Sequence, residues 1–230
     1  MELDYNALVA EFRANSNSKY DNFNNKIINS GVRTIGCTVP FVRSVAKKYV
    51  NSLDEAMSLP VHEYYEVDLL RGMVGASAKL PFEQRRCYLD DFASTIENWA
   101  VCDCSVVKFP KVEREQYFAY FCNLCESDAP FVCRYGLVNL LSSFLDDEHV
   151  DNVFETLSKV KVFGHYYVDM AVAWLLATAI TKCRDKTVAF MEGEARNVVN
   201  AFPYNKALQK MRDSFRVSEQ DKQWTRRLKM

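Results

Sequence analysis

Residues 98–103 read NWAVCD and set Trp99 and Asp103 four positions apart. On a helix that is about one turn, so an indole face and a carboxylate leave the same side. Two further side chains with chemistry to offer stand inside apolar segments: Arg134 in FVCRYGLV and Trp174 in AVAWLL. Together the four would line a groove with two aromatic faces, a carboxylate and a planar guanidinium suited to phosphate. Taken singly, each has a plainer reading. A tryptophan in an apolar helix is usually core, and an arginine there can snorkel to the rim. Spacing alone does not bring them to one place.

Other chemistries find less support. FCNLC (Cys122, Cys125) and CDC (Cys102, Cys104) invite zinc, which wants four ligands converging from turns. Both pairs lie inside helical pattern, so buried free thiols are expected and no metal is assigned. His62, His149 and His165 are scattered. G-x-S-x-G, H-E-x-x-H, a Walker loop and G-x-G-x-x-G are all absent, which removes the motif support for hydrolase, kinase and dinucleotide chemistry. The acidic run LDDEH (145–149) reads as a helix end facing solvent.

The elements that must position these residues read as helices. In 230 residues there are only 7 Gly and 6 Pro, with 49% hydrophobic residues. Leu137, Leu140, Leu141, Phe144 and Leu145 follow helical periodicity. Asp128 before Ala129 and Pro130 reads as a cap, and SLDE (52–55) as a capping box. Alternating β-rich runs between turn signals are missing, so an all-α fold is expected. Pro40, Pro60, Pro81, Pro110 and Pro130 recur mostly where helices should begin, at one helix per ~20 residues and so one helix pair per ~40, close to the period of HEAT-like repeats. A curved solenoid with a concave binding face follows, with residues 1–230 as one domain. NSNSKYDNFNN (15–25) reads as a polar loop or frayed helix that separates the first helix from the repeats.

A formal net charge of −1 gives no basic footprint for the whole chain. Positive charge gathers near the C-terminus, at Arg196, Lys206, Lys210, Arg212, Arg216, Lys222, Arg226, Arg227 and Lys229. Lys206, Lys210 and Asp213 or Ser214 share a helical stripe and make Lys206 and Lys210 candidates for phosphate contact. MELDYNALVAEF carries no signal-peptide pattern, and no apolar run approaches the ~18–20 residues of a membrane span. With 8 cysteines kept as thiols, a cytoplasmic protein is expected.

Five stretches in order, IGCTVPFVRSVAKKY (35–49), NWAVCD (98–103), APFVCRYGLVNLL (129–141), YYVDMAVAWLLATA (166–179) and YNKALQKMRDSFRVS (204–218), resemble the AlkD-like DNA alkylation repair family. Those HEAT-like-repeat DNA glycosylases release cationic N3- and N7-alkylated purines. The resemblance implies catalytic roles for Trp99, Asp103 and Trp174, a phosphate contact for Arg134, duplex DNA as partner and no cofactor. A monomer is expected. It also gives the opening pair a purpose, since an alkylated purine is already a good leaving group. A carboxylate then stabilises the cationic sugar and positions a water, and indole faces attract the same cation by roughly 0.5–2 kcal/mol each. The lesion stays in the stack in this family, so no deep flipping pocket is implied.

Two departures stand out. The chain before Gly36, around Tyr20, does not match the helical motif that active members use on the lesion, which places the closest likeness with a shorter branch lacking it. GCTVP replaces the more usual GVRTP and drops a positive charge. Two functions follow as alternatives: a glycosylase acting through Trp99, Asp103 and Trp174, or a non-catalytic DNA or damage-recognition protein that keeps the groove. A helical protein-interaction scaffold is a weaker third.

Overall fold

The computed structural model describes residues 3–28 and 31–228; Lys229 of the basic stretch lies outside them. The described residues are helical, with no strand among them, and the chain forms two compact units that divide after Arg114. The first holds α1 (Tyr5–Ala14), α2 (Ser18–Ile28), α3 (Val39–Ala46), α4 (Leu53–Met57), α5 (Tyr65–Ser77), α6 (Phe82–Ser94) and α7 (Trp99–Cys104). The second holds α8 (Arg114–Cys125), which starts at the division, then α9 (Pro130–Ser143), α10 (Val150–Leu157) and α11 (Tyr166–Lys182). It continues with α12 (Arg184–Glu192), α13 (Ala195–Val198), α14 (Ala201–Asp213) and α15 (Glu219–Arg227). None of these helices is long and apolar enough to cross a membrane.

Each unit is built on one central helix. In the first it is α5, buried from Tyr65 through Ala76, with α3, α4, α6 and α7 packed around it. A helix surrounded on all sides must satisfy its own polar residues. Glu66, 0% exposed, does so by accepting the backbone N–H groups of Ile35 (2.9 Å), Gly36 (2.8 Å) and Cys37 (3.1 Å). Arg71 donates to Thr95 Oγ1 and to the Met57 carbonyl, both at 3.3 Å. In the second unit α11 has that place, with α9, α12 and α14 against it.

Helix starts follow local chemistry, with some departures from the sequence reading. Pro130 is the first residue of α9, Pro81 caps α6 and Pro40 lies in the first turn of α3. Pro60, by contrast, sits in the connection between α4 and α5. The cap before α9 is Ala129, without a side-chain bond; the Ala129 N–H is taken by Ser127 Oγ, so Asp128 does not cap. Ser52 stands at the N-cap of α4 without bonding a helix amide, and the five-residue helix does not complete the box.

Of the Asn/Ser-rich stretch, residues 15–17 form a short connection and residues 18–25 are helix. Asn17 Oδ1 accepts from the N–H groups of Lys19 and Tyr20, which starts α2 as an ordinary capped helix. Its inner face carries Asn24 and Ile28, four residues apart. The LDDEH reading also needs revision, because His149 is 2% exposed. Its Nδ1 and Nε2 contact Asp146 (2.9 Å) and Glu115 (3.0 Å).

Candidate functional site

Unit one presents the NWAVCD pair on α7. Asn98 is extended and its side chain accepts the Val101 N–H at 3.0 Å, which starts the helix. Ala100, Val101 and Cys102 turn inward. Trp99 and Asp103, one turn apart, are both half-buried. The indole is fixed, because its Nε1–H donates to the Ile27 carbonyl at the end of α2 (3.1 Å). The stretch that reads from sequence as a polar loop or frayed helix is therefore the one that holds Trp99.

Beyond Ile27, α2 leaves Phe23 57% and Ile27 42% exposed, four residues apart on one stripe.

Charge at the far end of α7 is mixed. Burial pushes the Cys104 thiol up, Arg43 pulls it back and Asp103 pushes it up further. Arg43, exposed on α3, thus acts on the helix end that carries Asp103. Sequence reasoning passed over it, although it sits in VPFVRSVAKKY.

The segment before α3 is anchored closely. Gly36 has φ +96°, a conformation that favours glycine, and a Cβ there would stand 2.9 Å from the Asn17 carbonyl. The Gly36 carbonyl accepts from the Asn17 N–H, while Glu66 holds its amide. The GCTVP turn thereby joins α2, α3 and α5. At Gly72 of α5, an added Cβ would meet Ser105 Oγ at 2.1 Å and Phe92 Cζ at 2.4 Å. Only glycine lets the end of α7 approach this near.

In unit two, Trp174 is 38% exposed on α11 and faces a cleft of about 510 Å³. Lys210, Asp213, Phe215, Arg216 and Thr178 also line it. Trp174 and Lys210 are thus brought together. Phe215 is fully exposed in the turn after α14, and its position between Ser214 and Arg216 is a signal the sequence reading did not use.

Lys206 is not in this cleft. It lies in a second one and holds its Nζ 5.9 Å from the Phe202 ring centroid, so the helical stripe divides between two clefts.

Arg134 is 5% exposed on α9. Its Nη1 donates to the Tyr167 carbonyl at the start of α11, with the guanidinium carbon 6.0 Å from the Tyr167 ring centroid. It therefore ties α9 to α11.

All eight cysteines are free thiols. Burial pushes Cys125 well up and Cys133 up to about 12, so both stay protonated near neutrality. No cysteine enters the one group of metal-capable side chains among the described residues, Glu115, Glu148 and His149. There both imidazole nitrogens already face carboxylates.

A search of curated proteins returned no match. The family model described as DNA alkylation repair enzyme matches residues 8–211, a span that takes in α2, the first four of the five stretches and the first part of the fifth. With that span covering most of its length, the chain belongs to the DNA alkylation repair enzyme family.

Proposed function

We propose that this protein binds duplex DNA and hydrolyses the N-glycosidic bond of cationic N3- or N7-alkylated purines, with residues 1–230 acting as one HEAT-like-repeat domain. Family membership over residues 8–211, with the Trp99–Asp103 pair intact on one helical turn, carries this reading.

The chemistry asks little of an acid. The glycosidic electron pair passes to the purine, which leaves neutral because it began as a cation. Positive charge moves to the sugar, where the Asp103 carboxylate stabilises it by Coulomb attraction. Asp103 also orients the water that adds to the anomeric carbon, and the water's proton goes to the carboxylate or solvent. Trp99 and Trp174 offer ring faces to the cation. The bond from Trp99 to Ile27 supports a preset indole orientation. Lys210 and Arg216 supply cations for backbone phosphates, and Lys206 and Arg134 complete the DNA-binding set.

The test is release of 7-methylguanine and 3-methyladenine from methylated duplex DNA, with Asp103→Asn alongside. Release by the wild type and loss in the variant is the expected result. Equal release by both would remove Asp103 from the mechanism.

A second reading is a DNA-binding protein without base excision, in which the departures before Gly36 and at GCTVP leave the groove without its chemistry. It would be chosen by salt-sensitive DNA binding with no base release from folded protein.

A further inference from the structure

The second cleft of unit two lies between α14 and α15, and its lining carries an unbalanced charge. Lys206 and Arg212 come from α14 and Arg226 from α15, with the side-chain amides of Asn205 and Gln209 and the ring of Phe202 beside them. Among the described residues no carboxylate lines it. Among the described residues none of the three cations makes an ion pair. Lys206 bonds the neutral Gln209 Oε1 at 3.1 Å. Arg226 lies near enough to Glu219 to help lower its carboxyl, but the hydrogen bond of Glu219 goes to Lys222. Arg212 is half-buried.

Elsewhere in this unit some cations are matched, while Lys182, Lys210 and Arg216 make no ion pair among the described residues. Lys186 has Asp151, Arg184 has Asp221 and Asp185, and Lys222 has Glu219. Three cations around one concavity of about 510 Å³ repel one another unless an anion enters. Two arginine forks and an ammonium, flanked by amides, are donors suited to phosphate oxygens.

We infer that the α14–α15 cleft is a phosphate-binding site, separate from the Trp174 cleft and held by Lys206, Arg212 and Arg226. Two sources have this chemistry: the backbone of the DNA named above, in which case the site rests on that reading, or a free phosphorylated molecule. Phe202, 44% exposed beside Lys206, gives either ligand an aromatic edge.

The experiment uses the full chain and a variant carrying Lys206→Gln, Arg212→Gln and Arg226→Gln. Far-ultraviolet circular dichroism verifies its fold, and Arg212→Gln alone serves if the triple variant is not folded. One arm measures the rise in Tm with inorganic pyrophosphate, and the other the salt dependence of duplex binding. A site for phosphate predicts that pyrophosphate stabilises the wild type and not the variant. If the backbone is the source, the slope of log K against log salt also falls by about 2–3 in the triple variant, or about 0.9 in the single one. A loss of the pyrophosphate effect with the slope unchanged assigns the site to a free ligand, and a lower slope alone assigns it to the backbone. Identical pyrophosphate effects together with identical slopes overturn the site. Should the wild type bind no DNA, the functional reading fails, and the pyrophosphate arm alone decides the cleft.

Discussion

Asp103→Asn keeps the shape of the side chain and removes its charge, so at the residue scale it isolates electrostatics from packing. A roughly 10²–10³-fold loss of base release is expected, with the thermal midpoint nearly unchanged. Glu66 has the opposite profile. Three backbone N–H groups converge on its two oxygens, and Glu66→Gln turns one oxygen into an amide donor facing a donor. A destabilisation of about 2–4 kcal/mol is expected in urea unfolding, because buried donors lose their acceptor. His149 adds a pH dependence. Burial pulls its pKa down, but the carboxylates of Asp146 and Glu115 outweigh that and the net direction is up. The protonated ring's contribution is therefore complete below the ordinary value of ~6.5 and is lost as pH climbs through the raised one. Stability should decline as pH rises past that ordinary value, and His149→Gln should flatten that decline; an unchanged pH profile in the variant would count against it.

At the element scale, α7 depends on its neighbours. In an open helix Gly→Ala gains about 1 kcal/mol. At Gly72 the added methyl meets Ser105 Oγ and Phe92, so a loss of about 1–3 kcal/mol is expected instead. The displaced end of α7 carries Asp103, so base release should fall by more than the lost stability explains. Trp99→Phe probes the other side of this helix. It keeps a ring but deletes the donor to Ile27, and faster amide exchange across the end of α2 is the expected signature. Unaltered exchange there would show that Trp99 does not hold α2.

For the whole molecule, a net charge of −1 supplies no long-range pull toward DNA, so the proposed DNA binding would rest on local cations. Lys210→Gln and Arg216→Gln should each lower the salt slope by about 0.9. Phe215→Ala removes an exposed ring without charge, and it should weaken binding while leaving the slope as it was. Parallel salt plots with an offset would establish that difference, and a changed slope would refute it.

The all-α class was readable because helical periodicity, scarce Gly and Pro, and proline-marked helix starts all act locally. The family was readable because five stretches keep their order. Trp99 and Asp103 share a face by helix geometry alone, so that pairing too was in the sequence. What sequence missed depends on partners distant in the chain. Asn17 starts α2 through its own amide contacts, but only the fold brings Ile27 to Trp99. The 3.6-residue repeat put Lys206 and Lys210 on one stripe, yet the neighbours of α14 assign one to Phe202 and the other to Trp174. Arg134 in an apolar helix left open a rim or a phosphate, and packing turned its Nη1 to the Tyr167 carbonyl. Local sequence determined which residues become helix and which face each one takes. Tertiary structure decided what each face meets, because burial and hydrogen-bond satisfaction depend on atoms that the chain brings back from far away.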